Sequence, residues 1–224
     1  MSNSPVRIVD VTHTSALTTN KVLRNTYLLL SATLAFSALT AGVAMAVGMP
    51  FMNPFVTMLV YFGLLFATHK LQNSAWGILA VFALTGFLGL TLGPIISAYL
   101  KFLPNGSQVV VTALGTTAVT FLGLSAYAVK SGKDFSFMGG FLTVGILAAF
   151  VLSLIAMFFH LQMLSLIVSG MFVLAMGGFI LFETSAILRG EQTNYIIATV
   201  SLYVSIYNMF ISLLNILGYA NRNN

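Results

Sequence analysis

The sequence predicts an all-α polytopic membrane protein with seven transmembrane helices. Of its 224 residues, 58% are hydrophobic and only 6% are charged, whereas roughly a quarter of the residues of a soluble domain are charged. Apolar runs of about 20 residues, the length that crosses a bilayer, recur along the chain. Because so few charged residues cannot cover a water-facing surface, lipid must surround most of the protein.

Seven apolar runs separated by turn-forming residues define the predicted helices. Only His160 and Leu161 join the fifth and sixth runs, which predicts a tight hairpin. Arg189 and Gly190 close the sixth run, and glycine is the usual residue just past a helix C-terminus. The runs are Thr26–Gly48, Phe51–Thr68, Trp76–Leu100, Gln108–Val129, Phe137–Phe159, Gln162–Leu188 and Tyr195–Gly218.

The runs divide the chain into a long membrane domain and two short tails. Residues 1–21 are rich in Ser, Thr and Asn, which predicts a disordered tail. Residues 22–219 form the seven-helix domain, and residues 220–224 form a C-terminal tail. The first run is longer than the apolar region of a signal peptide, which spans roughly 7–15 residues. It is therefore predicted to be an uncleaved spanning helix.

Lysine and arginine fall mainly on one side of the predicted membrane, and cytoplasmic loops carry an excess of these residues. The N-terminus is thus predicted in the cytoplasm and the C-terminus in the periplasm. One side holds Arg7, Lys21, Arg24, Lys70, Lys130, Lys133 and Arg189, and the other holds Lys101 and Arg222.

Composition argues against several function classes. The chain has no cysteine, which excludes disulfides and Cys-based chemistry. The net charge of +5 is spread over loops without a basic run, so nucleic acid is not an expected partner. No metal-ligand spacing appears, and Gly123-Leu124-Ser125-Ala126 lacks the glycine that a nucleophile turn would place next. We therefore predict a non-enzyme without catalytic, metal-binding or cofactor-binding residues.

Glu183 is the only acidic residue inside an apolar run. Ionisable groups within the bilayer are costly, and they are candidates for function. A low dielectric disfavours the charged form of a carboxyl, so the sequence predicts a pH-sensing or ion-path role. The alternative is a glutamate close enough to the cytoplasmic end, six residues before Arg189, for water to reach it.

A polar seam on the last helix offers Glu183 a partner surface. The seam residues recur at spacings of 4, 3, 4 and 3, which places them on one helix face. Hydrogen bonds from Ser205 or Asn208 to the carboxylate would oppose the rise in its pKa that a low dielectric causes. The alternative role is adhesion between helices. The seam consists of Ser201, Ser205, Asn208, Ser212 and Asn215, and with Glu183 the first four form the predicted pH-sensing and ion-path set.

Glycines of the third run predict close helix packing. Gly89 and Gly93 form a GxxxG pair after Gly86, and this spacing lets two helices approach closely. Pro94 removes a backbone hydrogen bond and is expected to kink the helix. Both features indicate architecture.

Several separated motifs, in order, resemble the Bax inhibitor (TMBIM) family. The similarity covers nearly the whole chain past residue 20 and implies seven helices with the last helix central in the bundle. The motifs are Lys21-Val22-Leu23-Arg24-Asn25-Thr26-Tyr27, Gly86-Phe87-Leu88-Gly89 with Gly93-Pro94, Phe182-Glu183-Thr184, Asn194-Tyr195-Ile196, Ser201-Leu202-Tyr203 and Asn208-Met209-Phe210.

The resemblance implies two functions. Bacterial members are inner-membrane substrates and modulators of the ATP-dependent protease FtsH, which can sit with HflK/HflC, and they slow the turnover of other membrane proteins. Other members are pH-sensitive calcium leak channels whose sensor is a pair of buried Asp residues. Those two positions fall on Glu183 and Ser205 here, so only one carboxyl remains. Calcium needs several oxygen ligands with enough negative charge, so we favour the FtsH modulator and keep the calcium, cation or proton leak as the alternative.

Overall fold

The computed structural model describes the backbone of residues 9–222 and the side chains from residue 20 onward. It confirms an all-α protein in which seven helices are long and apolar enough to cross a membrane. The helices are α1 (Val9–Ala46), α2 (Pro54–Leu71), α3 (Trp76–Phe102), α4 (Gly106–Ser131), α5 (Gly139–Phe158), α6 (Gln162–Leu188) and α7 (Tyr195–Arg222), with a 3₁₀ turn at Ser136–Met138 before α5.

The helix ends differ from the predicted bounds by a few residues, because capping residues rather than the edges of hydrophobic runs set them. The second helix begins at Pro54 instead of Phe51, since the Asn53 side chain accepts a hydrogen bond from the Phe55 amide. Proline at the first helical position needs no hydrogen-bond partner for its nitrogen. The last helix runs to Arg222, three residues into the predicted C-terminal tail.

The N-terminal tail lies partly outside the described residues. Helix α1 begins at Val9, so its backbone reaches into the segment 1–21 that the sequence predicts to be disordered. The part of α1 that qualifies as a membrane span begins at Asn20. The disorder of the tail stays a prediction.

Left-handed residues follow the ends of four helices: Gly48 after α1, Gly132 after α4, His160 after α5 and Gly190 after α6. After α1, Gly48 has φ 64°, and the amide of Met49 donates to the carbonyl of Ala44. The predicted tight hairpin between α5 and α6 is confirmed: His160 adopts φ 52°, and Leu161 donates back to Ala156. This capping pattern satisfies carbonyls that the end of a helix would leave unpaired.

The glycine face of α3 packs directly on α1. A methyl group added at Gly89 would collide with the side chain of Thr40 and the backbone of Ser37, and one added at Gly93 would collide with Ala44. The predicted close approach of two helices is therefore confirmed, and its partner is α1. The helix continues through the buried Pro94 without a break; the predicted kink stays a prediction.

Helix α7 occupies the centre of the bundle, as the family resemblance implies. It contacts α1, α2, α3, α4 and α6, and it has the largest buried share of the seven spans. On α7, Tyr203 is 1% exposed. Its hydroxyl shares a hydrogen bond of 2.5 Å with Ser37 of α1 and lies 3.3 Å from the Thr85 carbonyl of α3. One tyrosine thus ties three helices together.

Candidate functional site

Glu183 is buried near one end of the bundle, with only 5% of its surface exposed. Among the residues that the structure describes, its side-chain hydrogen-bond partner is Gln192, whose Nε2 donates to Oε1 at 3.3 Å. Gln192 follows the end of α6, where Gly190 has φ 73° and Glu191 donates back to Ala186. The glycine predicted to close this helix is confirmed, and the reversal it permits returns Gln192 to Glu183.

Among the described residues, the seam donates no side-chain hydrogen bond to Glu183. The Ser205 hydroxyl donates instead to the Ser201 carbonyl at 2.8 Å. The Asn208 amide donates to the Val204 carbonyl, also at 2.8 Å. Serine and asparagine in helices often satisfy their donors on the carbonyl one turn earlier. Helical spacing predicts which residues share a face. It does not predict whether their side chains donate to another helix or to backbone carbonyls of their own helix.

The far end of the seam holds α6 and α7 together. Asn215 donates to Ser165 at 3.0 Å and to Ser169 at 2.9 Å, both on α6. Ser212, also on this half of α7, is 5% exposed. At the Asn215 end, the seam therefore joins two helices, which is the alternative role that the sequence left open.

The middle of the seam borders a cavity of about 840 Å³ between α2, α3, α5, α6 and α7. Ser201, Ser205 and Asn208 line it, whereas Glu183 and Ser212 do not. The structure thus divides the predicted set among three places instead of gathering it into one site. The ion-path role of these residues stays a prediction.

An ion-pair cluster that the sequence did not predict joins two loops beside Glu183. Arg189 lies 2.6 Å from Asp134 Oδ1 and donates two hydrogen bonds, of 2.9 and 2.8 Å, to Glu191. It also contacts Ser185, whose hydroxyl donates to the Lys133 carbonyl at 2.9 Å. We call Asp134, Ser185, Arg189 and Glu191 the loop latch. Sequence reasoning interpreted Arg189 as a topology signal and as the end of the sixth run, but not as an ion-pair partner, because nothing local pairs it with residue 134.

Hydrogen bonds shape the titration of the loop latch. The backbone amide of Ser136 donates to Asp134 at 2.7 Å, and with the nearby Arg189 it holds the pKa of Asp134 below its usual value. Hydrogen bonds from Arg189 likewise lower the pKa of Glu191. The same bonds raise the pKa of Arg189. All three groups are therefore charged at neutral pH.

Within residues 20–222, no group of three or more His, Asp or Glu side chains could hold a metal ion. At the α7 position where the resemblance implies a second acid, this chain has Ser205. Glu183 is therefore the one carboxyl of the implied pair. This donor set is poor for calcium, which prefers six to eight oxygen ligands.

Comparison with known proteins places this architecture among bacterial membrane proteins. Residues 19–223 match the family model described as Inhibitor of apoptosis-promoting Bax1. The chain is 49% identical over 218 residues to the Modulator of FtsH protease YccA of Escherichia coli K12, covering 96% of this chain and 99% of that protein. It is 52% identical over 199 residues to an uncharacterized protein of Pseudomonas aeruginosa, covering 89% of each chain. A membrane protein of Vibrio cholerae is 48% identical over 208 residues, 92% of this chain and 93% of that one.

Proposed function

Since this chain belongs to the Bax inhibitor family and is a multi-pass inner-membrane protein, we propose that it modulates the membrane-bound protease FtsH. The observation that carries the proposal is the likeness to the Escherichia coli modulator, which is 49% identical and spans nearly the full length of both chains. Modulation of a membrane-bound protease also suits a chain that consists almost wholly of spanning helices.

The mechanism that we favour is competitive occupancy. FtsH engages the polar N-terminal tail, and the helix bundle then resists extraction from the membrane. The protease stays occupied, so it degrades other membrane substrates more slowly. The tail leads directly into α1, whose Ser37 bonds Tyr203 of α7 and whose face packs against the glycines of α3. Pulling from the N-terminus must therefore break the contact of α1 with α3, the most extensive helix contact of the bundle, before α1 leaves the membrane.

This mechanism requires the N-terminus to face the cytoplasm, where the protease hydrolyses ATP. An odd number of spans places the two termini on opposite sides, and the end of the bundle that holds Lys21, Arg24 and Lys70 is the basic one. The positive-inside rule favours a cytoplasmic location for this end. HflK/HflC, as companions of FtsH, are expected in the same complex.

The test removes part of the N-terminal tail and leaves the membrane-spanning helices unchanged. We expect deletion of residues 2–15 to stop both degradation of the chain and its slowing of a second FtsH substrate in proteoliposomes. A matched variant has the same fourteen residues, 2–15, in scrambled order. It should keep both activities if FtsH needs only an unstructured segment to grip and not a specific sequence. Full inhibition by the deletion variant, with an unchanged melting temperature, would refute competitive occupancy.

A proton, cation or calcium leak is the second candidate, and the burial of a lone carboxyl favours it. Glu183 is 5% exposed, and buried ionisable groups in membrane spans often mark ion pathways. Ser205 in place of a second acid weakens the calcium version. Flux from liposomes that does not depend on pH, and that is unchanged by Glu183→Gln, would eliminate this candidate.

A further inference from the structure

The cavity between α2 and α5 opens sideways into the bilayer. Both helices are described in full, and none of their Cα atoms approach within 8 Å of each other. Phe62 and Leu147 line the cavity, yet 48% and 60% of their surfaces are exposed to the surroundings, which in a spanning helix are lipid. The interior is therefore continuous with the hydrocarbon around the protein.

Two aromatic pairs bridge the gap between α2 and α5. The rings of Phe55 and Phe158 lie 5.9 Å apart, and those of Phe62 and Phe150 lie 6.1 Å apart, edge to face. An incoming helix is about 10–12 Å in diameter, so these bridges leave no room for one. A flexible linear chain can pass beside them.

The walls suit hydrocarbon better than an ion. No lining residue is charged, and all of the lining residues are described. Most polar groups on the wall are already paired: Ser205 and Asn208 donate to their own helix, and Thr91 shares a 2.9 Å hydrogen bond with Tyr207. The oxygens of these groups keep lone pairs, but no charged side chain on the wall would balance the charge of an ion, and an unpaired charge in such surroundings is costly.

The cavity is long enough to hold an acyl chain. Its lining along α2 runs from Pro54 to Leu65, which is about 16 Å of helix at 1.5 Å per residue. One leaflet contributes about half of a hydrocarbon core of roughly 30 Å. The cavity therefore begins at the membrane surface where α2 starts and reaches the middle of the bilayer, as an acyl chain does. Along α5 its lining continues to Thr143, which is about 22 Å of helix from Phe158 at that surface, so the cavity extends past the end of one leaflet.

We infer that this cavity is a lipid site that holds one acyl chain of a phospholipid from the leaflet in which α2 begins. The chain enters between the phenylalanine bridges and packs on Met58, Ile146 and Phe172, while its headgroup stays at the surface beside the α1–α2 loop. This inference does not depend on the proposed interaction with FtsH.

The test uses the full chain in bilayers of phosphatidylethanolamine and phosphatidylglycerol that contain a phospholipid with a photoreactive diazirine in its acyl chain. After illumination, we expect lipid adducts on wall residues such as Tyr61 and Val204. Ile146→Trp should fill the cavity and lower this labelling severalfold. Val144→Trp, two residues away on α5 and 68% exposed, should leave it unchanged. Adducts confined to outward-facing residues such as Leu59, or an equal effect of both variants, would overturn the inference.

A second measurement holds even if Ile146→Trp fails to fold. The chain has no cysteine, so Val204→Cys places a single thiol on the wall of the cavity. A membrane-soluble maleimide should modify it, whereas a charged maleimide should not, and added phospholipid should slow the reaction in detergent. Rapid reaction with the charged reagent would show a water-filled path and would overturn the lipid site in favour of the leak.

Discussion

The side-chain amide of Gln192 lies 3.3 Å from the carboxyl of Glu183 and donates a hydrogen bond to it. This contact joins the last turns of α6 to the segment that leads into α7. Gln192 also accepts a hydrogen bond of 3.1 Å from the Asn194 amide, and Asn194 caps α7 by accepting from the amide of Ile196 at 2.9 Å. The buried carboxyl is thus attached to the connection between two helices.

Removal of the Glu183 carboxyl should destabilise the protein more than its conversion to an amide. Glu183→Ala leaves the Gln192 amide without its acceptor and opens a void, which should lower the free energy of unfolding by about 1–3 kcal/mol. Glu183→Gln keeps the side-chain volume and an acceptor oxygen. It should change the free energy of unfolding by less than about 1 kcal/mol. Unfolding by sodium dodecyl sulfate in mixed micelles measures both. Equal losses would show that the hydrogen bond to Gln192 contributes nothing.

Gly89→Ala should be strongly destabilising. Its new methyl group meets the Ser37 backbone, which cannot rotate away, and overpacking typically costs about 1–3 kcal/mol. Gly123→Ala on α4 is the matched control, since nothing lies within 4 Å of a methyl group there. Thermal unfolding in detergent separates the two variants. Under competitive occupancy, FtsH should also degrade Gly89→Ala faster than the control.

Tyr203→Phe should lower the free energy of unfolding by about 0.5–1.5 kcal/mol, the usual net value of a hydrogen bond. The ring stays in place, but its bond to Ser37 is lost. Ser37→Ala added to Tyr203→Phe should then cost less than it does alone, and a double-mutant cycle measures this coupling. Strictly additive losses would contradict a shared hydrogen bond.

The loop latch should persist at neutral pH and weaken in acid. The pKa values of Asp134 and Glu191 are lowered from 3.8 and 4.5. A depressed pKa contributes stability above the unfolded value and loses it as pH falls through the folded value. The protection of the amides of residues 132–136 against hydrogen exchange, taken relative to the intrinsic rate at each pH, should therefore stay constant from neutral pH down to the unfolded values and fall only below them. Arg189→Gln should raise exchange already at neutral pH, and an unchanged rate in that variant would contradict the latch.

Single cysteines in this cysteine-free chain should reveal its orientation. Ala75 lies in the exposed α2–α3 loop, and Ser107 is exposed at the opposite end of the bundle. With a cytoplasmic N-terminus, an impermeant maleimide should label Ser107→Cys in intact spheroplasts. It should label Ala75→Cys only after permeabilisation. The reverse pattern would place the tail in the periplasm and exclude its capture by FtsH from the cytoplasm.

The sequence alone determined the number of spans and the close approach of α3 to a neighbour. Both follow from local properties: hydropathy over about 20 residues decides what lipid can surround, and a GxxxG spacing exposes backbone on one face of a helix. The burial of Glu183 and the central place of α7 were also predictable, the first from its apolar neighbours and the second from the family motifs.

Only the tertiary structure decided which groups meet. Ser205 and Asn208 bond their own helix instead of Glu183, because a carbonyl one turn away competes with any partner on another helix. Gln192 and Arg189 reach Glu183 and Asp134 through chain reversals whose direction depends on backbone angles. The cavity arises because α2 and α5 stay apart while both pack on other helices, and the spacing between helices is a property of the whole bundle.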